Sequence, residues 1–257
     1  MTKMPVLFAG HGSPMNAIEK NIFSSTWAGL GTRLPKPQAI LSISAHWYTS
    51  GTRIMDIPDP KIVYDMYGFP DELYQVAYPV AGSPVFAESV KDLLGKQVRS
   101  DNSWGIDHGS WSVLRHIYPL ADVPVFQLSV DSSASADECF SIGQKLRPLR
   151  DQGVLIFCSG DVVHNLSRIN WSMGKGYLWA DEFDQYIKSN ILNKDIDSVL
   201  HYEKAGSCAS YAFSTPDHFA PLLFALGASD AEDKITVFND ARVLGSLSMT
   251  GYLFEPS

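Results

Sequence analysis

Apolar runs of strand length alternate along this chain with longer stretches of helical period, and that alternation predicts an α/β layer architecture. The strand-length runs fall at residues 5–9, 39–44, 123–129 and 154–159, with a late one at 235–238. Each is rich in Val, Ile, Leu or Phe, and several close on small or polar residues. Helical period occupies residues 83–94, 138–150, 181–190 and 219–226. The first helix opens on Ser83-Pro84, a capping residue followed by proline at the first helical position; the last is entered through Ser214-Thr215-Pro216-Asp217.

Residues 49–79 are richer in Pro, Tyr and Asp than in any period, which predicts a long excursion over one face. Excursions of that kind often carry binding residues. No repeat, low-complexity tract or Gly/Ser linker divides the chain, so one domain over residues 1–257 is expected.

Composition narrows the partner. Hydrophobic residues at 45% and charged residues at 19% describe a folded globular protein, not a disordered one. A formal charge of -8 with no Lys/Arg run argues against nucleic acid, because neutralising phosphates needs a basic face. A small molecule is expected instead. The apolar run at residues 6–9 is too brief for a signal-peptide core, and no stretch reaches the roughly 18 apolar residues of a membrane span. Cys139, Cys158 and Cys208 are scattered singly, without zinc-knuckle spacing and odd in number, and read as reduced thiols of a cytoplasmic protein.

The chemistry is carried by histidine. Of seven, His11, His46 and His164 each follow a predicted strand end within a few residues. Strand ends on one edge of an α/β sheet face the crevice where ligands bind, so three distant stretches are expected to converge. Gly10 and Gly12 flank His11 and let the backbone turn sharply after the strand. His218 opens the last predicted helix, and His108 stands in Ile106-Asp107-His108-Gly109-Ser110-Trp111.

An isolated histidine is more often structural than ligating. His116, inside the helical stretch 113–118, and His201, in a polar segment, keep that reading. Two or three imidazoles with an open position suit a catalytic Fe(II) or zinc site. There is no HExxH pair, no Gly-x-Ser-x-Gly elbow, no P-loop and no GxGxxG, which counts against a zincin protease, a serine hydrolase and a nucleotide cofactor.

Six segments in order, Gly10-His-Gly-Ser-Pro-Met-Asn16, Ser44-Ala-His-Trp-Tyr-Thr49, Tyr64-Asp-Met-Tyr-Gly-Phe-Pro70, Asp107-His-Gly-Ser-Trp111, Ser159-Gly-Asp-Val-Val-His-Asn-Leu166 and Thr215-Pro-Asp-His-Phe-Ala-Pro-Leu-Leu223, carry a resemblance. Together they resemble the DODA-type, LigB-like extradiol aromatic ring-opening dioxygenases over essentially the whole chain. The resemblance implies a LigB-like α/β domain whose central, mostly parallel sheet is flanked by helices. It also implies cleavage of a catechol-type ring, DOPA or a related catechol, with O2 at a histidine-ligated non-haem metal. Fe(II) is expected for activity, with Zn the other candidate ion.

By the same resemblance His11, His46 and His218 are the expected metal ligands. His218 stands where the wider superfamily has a glutamate, with Asp217 as second choice. His164 is the expected acid/base group, its role as a fourth ligand left open. His108 is expected in catalysis and substrate binding, with Tyr67, Trp111 and Ser13 also at the substrate; ordinary core is the competing reading for Tyr67 and Trp111. The expected partners are a small aromatic diol and O2, in a monomer or small homo-oligomer. The rival readings are a LigB-like non-enzymatic metal- or ligand-binding protein and a zinc-dependent hydrolase.

Overall fold

The computed structural model describes residues 2–257. All five apolar runs form strands within a set of ten: β1 (Val6–Gly10), β2 (Ala39–Thr49), β3 (Thr52–Ile54), β4 (Val98–Ser100), β5 (Val125–Asp131), β6 (Val154–Gly160), β7 (Lys234–Phe238), β8 (Arg242–Val243), β9 (Leu247–Ser248) and β10 (Gly251–Glu255). Eight of them make one sheet in the order β4-β3-β5-β2-β6-β1-β10-β7. The central strands β5, β2, β6 and β1 run parallel. β10 and β7 close one side in antiparallel fashion, and β3 meets β5 antiparallel on the other.

Every residue of β1 and of β6 is buried. That burial explains why these strands read as continuous apolar runs and not as alternating ones, since helices cover a parallel sheet on both faces. The helix Ala220–Ala228 packs on β1, β2 and β6 and against the helix Ala136–Leu146. Another, His108–Ile117, packs on β2 and β6 and against Ile22–Gly31. All nine residues of Ala220–Ala228 are buried, as expected of a helix apolar all round.

Helix ends depart from the pattern where a local residue intervenes. The helix expected over 138–150 starts at Ala136, capped by Ser135 and Glu138 bonding each other's backbone N–H groups, and stops at Leu146. Pro148 lacks an N–H and clashes with the preceding turn, so residues Arg147–Gln152 tighten into a 3-10 turn. Pro84 occupies the first turn of Pro84–Leu94 as expected, yet the Ser83 side chain makes no capping bond. The helix expected at 181–190 extends to Leu178–Leu192.

The excursion over 49–79 holds the short strand β3 and the single turn Asp71–Tyr74 and is otherwise irregular. Among the described residues no helix is long and apolar enough to cross a membrane, and the three cysteines are unbridged and buried.

A candidate metal centre at the carboxyl edge of the sheet

Because β1, β2 and β6 are parallel, their carboxyl ends lie on one edge of the sheet. His11 follows β1 directly, and its backbone N–H bonds to Gly160 O at 3.1 Å, so the β1–β6 pairing carries it to that edge. Gly12 then turns the chain with a φ of +60°, a left-handed conformation that glycine adopts without cost. His46 sits in the last third of β2, where the register against β5 shifts between Ile43 and Tyr48. An irregularity of that kind re-aims side chains next to a site.

His218 lies just ahead of the helix Ala220–Ala228, and its carbonyl accepts the Asp161 N–H at 2.9 Å. The approach is close: a Cβ on Gly160 would sit 2.1 Å from His218 O. Gly160→Ala is therefore expected to cost about 1–3 kcal/mol of stability by overpacking, and to weaken metal retention by displacing His218. Thermal unfolding together with metal content after desalting checks this; a variant unchanged in both would refute it. His164 is pinned at its backbone, its N–H bonding to Ala212 O at 2.8 Å and its neighbours bridging to Phe213 and Leu247. His108 begins a helix capped by Asp107, which is fully buried and also accepts bonds from Ser44 Oγ at 2.7 Å and Gln127 Nε2 at 2.9 Å.

The rings of His11, His46 and His218 converge, with centroids 5.0, 5.3 and 5.1 Å apart in pairs. One nitrogen of each lies within 4.8 Å of the others. His11 Nδ1 is 2.9 Å from Ser159 Oγ, whose own hydrogen is directed at Gly109 O, so Nδ1 is the protonated nitrogen of His11. His46 Nδ1 lies 2.8 Å from Asp65 Oδ2, an ion-pair distance at which the carboxylate favours a proton on that nitrogen, although the contact is not aligned as a hydrogen bond. Both Nε2 lone pairs then face each other across 3.1 Å. Two opposed lone pairs repel unless a cation sits between them. The separation matches the roughly 3 Å that two imidazoles subtend on one metal with metal–nitrogen bonds of roughly 2.0–2.1 Å. Both ring nitrogens of His218 are buried without a hydrogen-bond partner, a condition that costs about 1–3 kcal/mol if left unrelieved. The three imidazoles therefore fit a single metal ion.

Electrostatics favour the ligating, neutral form at His11 and His218. Burial pushes the His11 imidazole well below its ordinary range, and the neighbouring His46, His218, His108 and His164 push it further. His218 is lowered in the same way, first by burial and then by His164, His46 and His108. Burial would lower His46 too, but the contact with Asp65 and the charges of Asp107, Asp65 and Asp217 outweigh it, and its pKa is raised. Burial and the Asp217 charge raise Asp161 well above a usual carboxylate, against the bond that Gly12 N–H gives its Oδ1.

Two more imidazoles adjoin the three. His164 stacks flat on His218, with centroids 3.4 Å apart and planes within 5°. Burial chiefly, with help from His46 and His108 and against the Asp217 charge, lowers its pKa to about 4, so it stands neutral at neutral pH. The His108 ring lies 4.0 Å from that of His46, centroid to centroid. Asp65 joins these two, its Oδ1 accepting from His108 Nδ1 at 2.9 Å and its Oδ2 facing His46. Asp217 bonds to the His218 backbone N–H at 2.8 Å and stands outside the groups able to share an ion among the described residues.

Above the cluster opens a cavity of about 420 Å³, within the roughly 300–1,000 Å³ usual for ligand sites. All five site histidines line it, and so does Ser13. Tyr67 stands at its mouth, 92% exposed, so it is not core. Trp111, expected at the substrate, is not part of the wall. It is fully buried behind His108, and its indole N–H bonds to Val63 O at 3.0 Å. Trp111 stands three residues, nearly one helical turn, after His108, so the two rings share a side of the helix at 6.4 Å, with Trp111 on the inner, buried side of that pair. Leu166 and Trp171, both exposed at the rim, had carried no sequence expectation, nor had Asp65, Asp161 and Ser159. His116 bonds to Asn16 O at 2.8 Å and His201 pairs with the exposed Asp197, away from the cluster.

A sheet with three converging imidazoles at its carboxyl edge, beneath a cavity open to small molecules, suits the class of mononuclear metal-dependent enzymes. Residues 4–254 match the family described as the catalytic LigB subunit of aromatic ring-opening dioxygenase, and the chain belongs to that family. It is 44% identical over 255 residues to the 4,5-DOPA dioxygenase extradiol of Escherichia coli (strain K12), covering 96% of this chain and 93% of that protein. It is 36% identical to the 4,5-DOPA dioxygenase extradiol of Beta vulgaris, covering 96% and 95%. Its fold is similar to the crystal structure of uncharacterized protein JW3007 from Escherichia coli K12, with a TM-score of 0.86 and 40% identity over 97% of this chain and 99% of that one.

Proposed function

We propose that this chain is an extradiol dioxygenase that opens a catechol-type ring, DOPA or a related catechol, with O2 at a non-haem Fe(II) held by His11, His46 and His218. One observation carries the reading: two imidazole lone pairs meet at 3.1 Å with a third, unpartnered imidazole beside them, directly under a cavity sized for a substituted aromatic ring. The family membership supports the ring-opening reaction. One α/β sheet runs through the chain, in keeping with a single catalytic domain over 1–257, and the free buried cysteines accord with the cytoplasm.

Bound at the three imidazoles, Fe(II) supplies Lewis acidity and a route for electrons between a chelated catechol and dioxygen. The protein's own groups do the rest. Met66, Phe69, Ile169, Leu244 and Leu247 form apolar walls that hold the ring and exclude water. His164, neutral and next to His218, accepts a catechol proton and returns it to an oxygen during cleavage. Ser13, at the cavity, adds a hydroxyl toward the substrate.

The test is anaerobic reconstitution with Fe(II), followed by oxygen-electrode and absorbance assays across a small catechol panel. Stoichiometric oxygen uptake with a new ring-opened chromophore is expected. Turnover of an ester or amide by the zinc form without oxygen would point to a hydrolase, and metal binding with no uptake on any catechol would point to a binding protein.

A further inference from the structure

Asp65 lies in the irregular stretch between β3 and the turn Asp71–Tyr74, far from any strand end, yet both of its carboxylate oxygens are engaged by histidines of the site. Oδ1 accepts from the backbone N–H of His108 at 2.9 Å and is 2.9 Å from its Nδ1. Oδ2 has His46 Nδ1 at 2.8 Å. No Lys or Arg pairs with Asp65 among the described residues, so these imidazoles are its ionic partners. An ionised carboxylate offers only acceptors, so each of its oxygens can favour a proton on the nitrogen that faces it.

An imidazole that gives its Nδ1 hydrogen to a carboxylate keeps its lone pair on Nε2. For His46 that lone pair faces His11 Nε2, at the metal position. For His108, whose Nε2 has no partner in the protein and which lines the cavity, the lone pair opens toward the substrate. We propose that Asp65 is a positioning residue with two charges in its care: one oxygen sets the tautomer that makes His46 a ligand, and the other sets the tautomer that makes His108 a hydrogen-bond acceptor for a catechol hydroxyl. The inference rests on the metal-centre reading above. It also links two parts of the site, because the neighbouring Met66, Tyr67 and Phe69 form part of the cavity wall. The loop that shapes the substrate space thus aligns a ligand.

Asparagine discriminates. Asp65→Asn keeps the shape but has one acceptor oxygen, and its amide hydrogens face one of the two Nδ1–H groups, so that ring must move its proton to Nε2. Zinc serves as the probe metal, its affinity measured by chelator competition. The variant is expected to bind it roughly 10–100-fold more weakly, the usual effect of removing a carboxylate behind a ligating histidine. Long-range nitrogen-15 NMR of the imidazoles is expected to show His46 and His108 of the wild-type zinc form both protonated at Nδ1 alone, and one of them protonated at Nε2 in the variant. With Fe(II) and a catechol, the variant's KM is expected to rise more than its kcat falls.

The wild-type spectrum needs no variant: finding either ring protonated only at Nε2 overturns the proposal. So does a folded Asp65→Asn protein whose zinc affinity is within twofold of wild type, or one that loses zinc with both tautomers unchanged. If wild-type protein itself fails to bind zinc or iron, the metal-centre reading falls first and separately.

Discussion

Replacing His11 by alanine is expected to leave a folded protein that no longer retains iron or zinc. His11 is 1% exposed, and its removal takes away one of the three donors that converge with His46 and His218. Asp161 Oδ2 is 3.8 Å from His11 Nε2 and stands outside the group that His11 forms with His46 and His218. Loss of a direct ligand should exceed the roughly 10–100-fold cost of disturbing a group behind one. His46→Ala and His218→Ala are expected to behave alike, because a catalytic site of this kind holds its ion with three protein ligands, each of which contributes to retention.

The fold should survive, since the sheet's core is supplied by the apolar strands and not by the site. Metal content after desalting and the rise in melting temperature on adding zinc are the measurements. A metal bound only to the folded form stabilises it by mass action, so wild type should show that rise and the variants should lose it. A His11→Ala protein that keeps a full equivalent of metal would remove the centre from where it is placed here.

His164→Ala is expected to have a different outcome: metal retained, turnover lower by roughly 10²–10⁴-fold, the usual size of an acid/base contribution. The geometry separates the two histidine classes. His164 lies flat against His218 at 3.4 Å and stands outside the group formed by His11, His46 and His218, while with Asp161 and His218 it forms a second group close enough to share an ion. Its ring makes no hydrogen bond within the described protein, which leaves it free to exchange a proton with a ligand in the cavity. His164→Phe refines the test, because it keeps the stacked ring over His218 while removing both nitrogens. That variant should match alanine in lost turnover and match wild type in metal content. Should either variant lose its metal along with activity, His164 is a fourth ligand and the acid/base role belongs elsewhere, with His108 next in line.

The histidines were legible because each stands beside a strand end, and strand ends can be read from short apolar runs. Asp65 was not, though its excursion was recognised as a binding segment: which of the acids in residues 49–79 returns to the sheet edge depends on the path of thirty irregular residues. Trp111 shows the converse. Its place in a shared segment with His108 suggested the substrate, but His108 stands between it and the cavity, and its indole is buried against Val63. The helix Ile22–Gly31 and the strand β10 also escaped notice. The Asn21 and Ser24 capping box was there to be read, whereas β10 becomes a strand only through pairing with β1 and β7.

By itself the amino-acid order determined the α/β layering, the central strands and the imidazoles that end them, since these depend on runs and periods within about ten residues of chain. Only the tertiary structure decided that the lone pairs of His11 and His46 oppose each other, that His164 stacks on His218, and that a single carboxylate serves two rings. Those facts are set by distances between groups 19 to 54 positions apart in the chain. Contacts at such separations follow from how the sheet and its loops close, which no local pattern encodes.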